Sequence, residues 1–413
     1  MIHFLHTADW QIGRQYGQFE PDDASLLAEA RFDVVAAIAR LAAERRVDAV
    51  LVAGDVFDTQ AVSDRTIRRL FAALGAYTGP WLLISGNHDA ALADSVWTRA
   101  LRLGCLPANV WVPGVAGPHV VAGASGTSVI DLAGLRLAVL SAPLAQRHTY
   151  DDATRGFDDL ATADGRFRIG LAHGSVAGRL PDAIDAANPI AADRAASARL
   201  DYLALGDWHG WLRIDARTWY AGTPEAERFR NNAPGFVLDV TIDAPGAEPV
   251  VEPVPVGRFR WLLWHERIDL PADIDALAER LDALGPDDVL RLEVAGAADL
   301  DGAARLHDAV ARAAARVRAL DVDTSALALA PDDADLAALG VDGYMGAVVA
   351  RLRAMQAAGD GGAAPSAAGA SGAAADPGTD ADAAREALRL LVQLHRDDAA
   401  APSAGTTGRG GRR

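Results

Sequence analysis

Five short apolar runs of this chain each give way to polar residues of the kinds that bind metal ions and move protons. The polar segments read Thr7-Ala8-Asp9-Trp10-Gln11, Gly54-Asp55-Val56-Phe57-Asp58, Gly86-Asn87-His88-Asp89, His173-Gly174-Ser175 and Gly206-Asp207-Trp208-His209. The chemistry these residue types point to is two-metal phosphoester hydrolysis, in which cations about 3.5–4 Å apart clamp a phosphate and activate a water. Such a pair needs a shared carboxylate, and Asp55 is the natural bridge. Asn87 can offer a neutral carbonyl oxygen to a metal. His88, beside it, can donate a proton to the leaving oxygen or steady the phosphate. Asp58 and Asp89 stand where they could orient the neighbouring ligands or His88. Gly54, Gly86 and Gly206 are expected to let the backbone turn sharply beside the site. A Gly-Asp after an apolar strand is by itself usually a turn. The quartet Gly-Asn-His-Asp says more, because polar groups after a buried strand are costly without partners.

The elements that must position these residues are legible as patterns. Strand-like runs fall at 2–6, 49–53, 81–85, 135–142, 167–172 and 202–205. Between the first two, Leu27, Phe32, Val35, Ile38 and Leu41 mark one face of a helix over 23–46, and a second helix is expected at 65–77. The alternation predicts an α/β core with buried strands. In such cores ligands bind beyond the carboxyl ends of strands, so five strand ends could converge on one site.

Residues 1–258 are therefore expected to form the catalytic domain. A smaller α+β domain follows at 259–340, with strands at 259–270, 289–294 and 326–329 and helices at 274–284 and 300–317. An amphipathic helix is expected at 341–358, where Met345, Val348, Val349, Leu352 and Met355 share a face. A Gly/Ala/Ser/Pro-rich flexible linker spans 359–381. A second amphipathic helix is expected at 382–398, with Ala384, Ala387, Leu388, Leu391 and Leu394 as its stripe, and a disordered tail at 399–413. The two stripes could grip a partner's coiled coil or pack on the chain's own domains; both readings stand.

Composition narrows the field. The 413 residues contain no lysine, so the chain has no Walker-A phosphate loop and is not itself a P-loop ATPase. The single cysteine, Cys105, excludes an intrachain disulfide framework and reads as a packed residue. No apolar run approaches the ~18 residues of a membrane span, and the N-terminus lacks the pattern of a signal peptide. A soluble cytoplasmic protein is expected. The net charge of −17 repels a polyanion at long range, so any action on DNA needs metal charge, arginine clusters or a partner. Arg14, Arg147, His148 and Arg179 follow strand ends and could touch phosphates, although a solvated-loop role is equally open. His6 reads as a buried, hydrogen-bonded histidine. His3, His119, His265, His307 and His395 have no ligand spacing and read as structural or surface groups.

The ordered series resembles the calcineurin-like metallophosphoesterase superfamily. Within it, His6-Thr7-Ala8-Asp9-Trp10, Gly54-Asp55-Val56-Phe57-Asp58-Thr59 and Gly86-Asn87-His88-Asp89 are close to the wording of the SbcD family of DNA repair exonucleases. The likeness covers roughly the first 230 residues. It implies a β-sandwich core flanked by helices, with a smaller α+β cap and a helical C-terminal tail. Carried over by position, it implies one metal held by Asp9, Gln11, Asp55 and His209, and a second held by Asp55, Asn87, His173 and Asp207. His88 matches the catalytic histidine, and Asp58 is placed with it. Two positions depart from the family pattern, which usually has histidine where this chain has Gln11 and Asp207. Each metal thus exchanges an imidazole for an oxygen, which favours Mn²⁺, with Mg²⁺ next, over Zn²⁺. The resemblance further implies a DNA exonuclease or endonuclease acting in double-strand-break repair, an SbcC-like coiled-coil ATPase partner and a homodimer. Alternatives are a stand-alone phosphodiesterase or phosphatase on a small nucleotide-like substrate, and a weakly catalytic scaffold subunit. The segment Tyr220-Ala221-Gly222-Thr223-Pro224-Glu225 resembles a family segment near the site, with no chemistry assigned to it.

Overall fold

The structure, a computed structural model, describes residues 1–114, 120–122, 126–180, 187–230, 232–330, 344–360, 383, 384, 386–388, 390 and 391. The chain divides into two compact units, Met1–Leu262 with Asp287–Val289, and Leu263–Pro286 with Leu290–Arg413.

The first unit is built on two sheets. One has the strand order Val250–Pro255, Phe236–Ile242, Ile2–Thr7, Ala49–Val52, Trp81–Leu83, Val110–Trp111. The other runs Leu212–Arg213, Thr218–Tyr220, Tyr202–Gly206, Phe167–His173, Leu137–Ala142, Ser128–Leu132, Val120–Ala122. The central strands of each sheet are parallel; antiparallel strands close both edges of the second sheet and one edge of the first, whose other edge, Val110–Trp111, is parallel. The ends of Ile2–Thr7, Ala49–Val52 and Trp81–Leu83 therefore leave one edge of the first sheet together. Those of Phe167–His173 and Tyr202–Gly206 leave one edge of the second.

The period-two rule sorts each strand onto two faces. Phe4, Leu51 and Leu82 enter a core shared with Val139, Ile169, Leu171 and Tyr202 of the second sheet, which makes the pair a sandwich. Leu5, Val50, Val52, Trp81 and Leu83 turn the other way, onto Val35, Ile38, Ile67, Leu70 and Trp97. Both faces of these strands are thus covered, which is why they read as unbroken apolar runs rather than alternating ones. Helix Pro21–Arg45 starts with proline and two acids in its first turn and stops where Arg46 turns left-handed at φ 53°. Helix Asp64–Ala73 is capped by Ser63, whose side chain accepts from the Thr66 N–H. A further helix, Val96–Arg102, lies outside the expected elements; a Ser95/Thr98 capping box starts it.

The sequence also conceals most of the outer strands. Val250–Pro255 carries two prolines, which only an edge strand tolerates. Leu212–Arg213 and Val110–Trp111 are too short to show a period.

The second unit is α+β. Strands Arg260–Ile268, Asp288–Ala298 and Ala319–Leu329 form a three-stranded sheet. Helices Pro271–Asp282 and Leu300–Ala314 bury Ile274, Leu277 and Leu281, and Leu306, Ala309 and Ala313 respectively. The last strand is longer than the expected 326–329, because its exposed Asp323, Thr324 and Ser325 hide the apolar pattern. Helix Tyr344–Asp360 follows. Its Val349 packs with Leu300 and Leu388, and Leu352 lies against them. Among the described residues, both apolar stripes thus contribute to this unit's own core, the second of the two readings open for them. Most of the expected linker 359–381 and of the helix 382–398, all of the tail 399–413, and His119 and His395 lie outside the described residues.

His6, next to the last residue of the opening strand, is fully buried. Its Nε2 donates to the Leu205 carbonyl at 3.2 Å and the Tyr202 hydroxyl donates to its Nδ1 at 3.0 Å. Burial holds the ring down at about 3, so it stays neutral in the folded chain. The unfolded chain protonates it near its ordinary value of about 6.5. Below that pH the unfolded state binds a proton that the folded state refuses, so stability falls as pH falls from about 6.5 to about 3, by roughly 1 kcal/mol per unit. Urea unfolding in EDTA should show this slope between pH 6 and pH 4, and His6→Asn should flatten it. An identical slope in both proteins would remove His6 as the cause.

Candidate metal centre

The loops after the first two strands run side by side. The Asp9 N–H donates to the Gly54 carbonyl at 3.0 Å, Gln11 N–H to Asp55 at 3.0 Å, and Ile12 N–H to Val56 at 2.9 Å. Here the backbone is strained. Asp9, Gln11 and Asp55 take φ of 52°, 49° and 51°, and Asp207 takes 102°. Left-handed residues other than glycine cost on the order of 1 kcal/mol each and gather where function holds them. These four are all among the expected metal ligands.

The three glycines act differently from one another. Only Gly54 has a positive φ, at +89°. Gly86 is there for space: a Cβ would lie 2.2 Å from Asp55 Oδ1. At Gly206 it would lie 2.0 Å from the Ala53 carbonyl oxygen. The expected sharp turn therefore applies to Gly54, and close approach explains the other two.

The side chains meet between the sheets' edges. His173 is buried, and its Nδ1 donates to the Ala53 carbonyl at 2.8 Å. Its Nε2 then faces Asn87 Oδ1 at 2.9 Å, Asp55 Oδ1 at 3.6 Å and Asp207 Oδ1 at 3.7 Å. Asp207 is steadied by the Ser175 hydroxyl, which donates to Oδ2 at 2.8 Å. The Asp207 N–H donates in turn to both Asp9 oxygens, at 3.1 and 3.2 Å. Ligand atoms of Asp9, Asp55 and His173 all lie within 4.8 Å of one another.

Two amides complete the cluster. Gln11 Nε2 donates to Asp55 Oδ2 at 2.8 Å, which leaves its buried Oε1 without a partner among the described residues. The Asn87 amide faces both carboxylate oxygens of Asp55; turned over, its NH₂ would donate to each at 3.1 Å. Oxygen lone pairs aimed at one another, with a buried acceptor left over, are what a cation among them would satisfy. Protons do part of that work in the metal-free protein. Burial pushes Asp9 up to about 7 against the pull of His209 and His173. Burial disfavours the His173 imidazolium, but Asp55, Asp9 and Asp207 outweigh it and raise the ring to about 9. The donor set, mostly oxygens with two imidazoles, fits divalent cations.

The expected acid and its neighbours lie at the rim. His88 is half-buried; its backbone N–H donates to Asp55 Oδ1 at 2.9 Å, and its Nε2 is 4.0 Å from Asp55 Oδ2. Its Nδ1 donates to the backbone carbonyl of Asp58 at 2.8 Å. The Asp58 carboxylate pairs with Arg14 at 3.2 Å, so Asp58 orients His88 through its main chain. Asp89 is buried and accepts from the N–H groups of Val56, Phe57 and Gly86, at 2.9, 3.1 and 2.7 Å, tying two ligand loops together. Arg147 and Arg179 are exposed; Arg147 offers its carbonyl to Asn188 and Arg179 its N–H to Val176.

His209 is held from behind. Its Nδ1 lies 2.5 Å from Glu227 Oε1. Burial alone would raise the Glu227 carboxyl, but His209 and the Arg31 and Arg228 guanidiniums hold it far below the usual carboxylate range. Sequence reasoning missed Glu227 and Arg31, and named Ser175 and Tyr220 without giving either a role. The Tyr220 hydroxyl donates to the Gly174 carbonyl and accepts from the Val176 N–H, which pins the turn beyond His173. One signal was available: Arg31 is a charge on the apolar face of its helix, four residues after Leu27 and four before Val35.

Residues 2–238 match the family model described as calcineurin-like phosphoesterase. The DNA double-strand break repair protein Mre11 of Aeropyrum pernix is 32% identical over 274 residues, 62% of each protein. The SbcD component of the SbcCD nuclease of Rhodobacter capsulatus is 39% identical over 97 residues, 22% of each. Its counterpart in Bacillus subtilis is 27% identical over 276 residues, 60% of this chain and 68% of the relative. The chain thus spans less than two thirds of the length of the first two relatives.

Proposed function

The chain belongs to the calcineurin-like phosphoesterase family, and on that footing we propose that it is a two-metal DNA phosphodiesterase that trims DNA ends in double-strand-break repair. The observation that carries the reading is the meeting of His173 Nε2 with Asn87, Asp55 and Asp207 within 3.7 Å, beside an unpartnered Gln11 oxygen. Asp9, Gln11, Asp55 and His209 would hold one divalent cation, and Asp55, Asn87, His173 and Asp207 the other, Mn²⁺ ahead of Mg²⁺. When bound, the pair supplies Lewis acidity to the phosphate and a water of lowered pKa. Asp55 would serve both positions. His88, with its Nδ1 fixed on Asp58, presents Nε2 toward the site, where it can steady the phosphate or hand a proton to the leaving oxygen.

DNA as substrate and a coiled-coil ATPase as partner are supported by the likeness to an Mre11 and to SbcD components of SbcCD nucleases. A homodimer and a cytoplasmic location belong to the same proposal. Among the described residues no helix is long and apolar enough to cross a membrane. The net charge of −17 favours a second reading, a phosphodiesterase on a small nucleotide-like substrate.

End-labelled duplex and single-stranded DNA, incubated with Mn²⁺, Mg²⁺ or EDTA, separates the two. Mn²⁺-dependent shortening supports the first reading. Hydrolysis of a chromogenic phosphodiester without DNA cleavage, alone or with a co-purified ATPase, supports the second. His88→Ala should slow cleavage by about 10²–10⁴-fold while Mn²⁺ binding stays near wild type. Cleavage at the wild-type rate would remove His88 from the chemistry.

A further inference from the structure

Glu227 belongs to no motif, yet it is among the most heavily engaged carboxylates of the first unit. Its side chain is 1% exposed. It meets Arg14 Nε at 3.1 Å, Arg31 Nη2 at 3.5 Å, Arg228 Nε at 2.7 Å and His209 Nδ1 at 2.5 Å. Arg31 is itself buried and tied to the main chain: Nη1 donates to the Trp10 carbonyl at 2.7 Å, Nη2 to the Glu225 carbonyl at 3.2 Å, and Nε to the Tyr16 hydroxyl at 2.8 Å. A carboxylate oxygen and an unprotonated ring nitrogen cannot approach to 2.5 Å, because both would present lone pairs. The proton therefore sits on Nδ1, and the neutral ring keeps its lone pair on Nε2. Arg228 Nη2 also lies 3.2 Å from Nδ1, a contact that cannot be a hydrogen bond once Nδ1 carries the proton.

We infer that Glu227 is a positioning residue, anchored by Arg31, which fixes His209 in the tautomer and ring orientation that offer Nε2 to a divalent cation. The inference rests on the two-metal reading above, but not on the substrate being DNA. A carboxylate behind a ligating imidazole fixes its tautomer, makes it more basic, and typically adds 10–100-fold to metal affinity.

Two measurements test it. Calorimetric titration of Mn²⁺ into wild type and Glu227→Gln should show one of two sites weakened about 10–100-fold, the other within a few-fold of wild type. Equal affinity at both sites would overturn the inference. The second is read on the wild-type protein, so it survives a failure of Glu227→Gln to fold. With diamagnetic Mg²⁺ bound, the ¹⁵N spectrum of histidine-labelled protein, assigned through His209→Asn, should show a protonated Nδ1 and a lone-pair Nε2 on His209. A protonated Nε2 would overturn it. Neither readout involves hydrolysis: a chain that binds Mn²⁺ as described but leaves DNA intact would fail the nuclease reading and keep Glu227 in place.

Discussion

Asp55→Asn is expected to reduce hydrolysis by at least about 10⁴-fold, roughly 5.5 kcal/mol of transition-state stabilisation, while leaving the metal-free protein no less stable than wild type. The two halves of that expectation come from the same geometry. Asp55 accepts from Gln11 Nε2 and from the His88 N–H, and it lies 3.6 Å from His173 Nε2, so one carboxylate touches members of both proposed ligand sets. No neutral amide can balance two cations from that position. Asparagine does tolerate the left-handed φ of 51°, so the backbone is spared. Without metal, Asp9, Asp55 and Asp207 crowd like charges around the His173 ring, and the repulsion relieved by removing one offsets the attraction to the ring that is lost. Metal stabilisation should then disappear: a site at 100 times its Kd adds about 2.7 kcal/mol to wild type, and most of that should be missing from the variant. Thermal melts in EDTA and in Mn²⁺, beside the cleavage assay, read all of this. A variant that melts early in EDTA would make Asp55 a structural residue. One that keeps a tenth of the activity would remove it as the bridge.

Gln11 and Asp207, the two departures from the family pattern, are both set to present oxygen. Gln11 spends its NH₂ on Asp55, which turns the carbonyl oxygen free. Asp207 has one oxygen held by Ser175 and the other aimed at His173. Neither looks like a position abandoned to drift: each keeps a strained backbone, φ 49° and 102°, that an unused loop residue would have no reason to hold.

Much of the site was legible because the parallel strands obey a simple rule. A buried strand flanked on both faces reads as an apolar run, and the polar residue that ends it stands at the carboxyl edge. Asp9, Asp55, Asn87, His173 and Asp207 were all found this way. What could not be read was anything defined by a partner far along the chain. Glu227 acts on His209 only because Arg31, 196 residues earlier, lies under it. Gly86 looked like a turn residue and is instead a gap for Asp55. The edge strands Val250–Pro255 and Leu212–Arg213 lack a period because their neighbours, not their own pattern, decide their pairing. The amphipathic stripes at Val349 and Leu388 announced burial, but only the fold shows Leu300 as what covers them.

Arg31→Met should lower stability by about 3–5 kcal/mol, although methionine fills a similar volume and suits a helix. The guanidinium satisfies the Trp10 and Glu225 carbonyls and the Tyr16 hydroxyl, all in buried surroundings. An orphaned buried acceptor costs about 1–3 kcal/mol, and methionine can serve none of them. Glu227 softens the loss, since Arg14 and Arg228 still reach it. Against this stands the general finding that buried ion pairs can be replaced by apolar side chains with no loss. Here the main-chain carbonyls decide the sign, because they remain after the charge is gone. At roughly 2–4 °C per kcal/mol for a unit of this size, the metal-free melting temperature should fall by about 6–20 °C. Arg31→Lys keeps the charge but not the fork, and should recover less than half of that. An unchanged melting temperature for Arg31→Met would mean that the network specifies the site without stabilising the fold. Its mark would then be sought in Mn²⁺ affinity alone, where the loss of the Glu227 anchor should still appear.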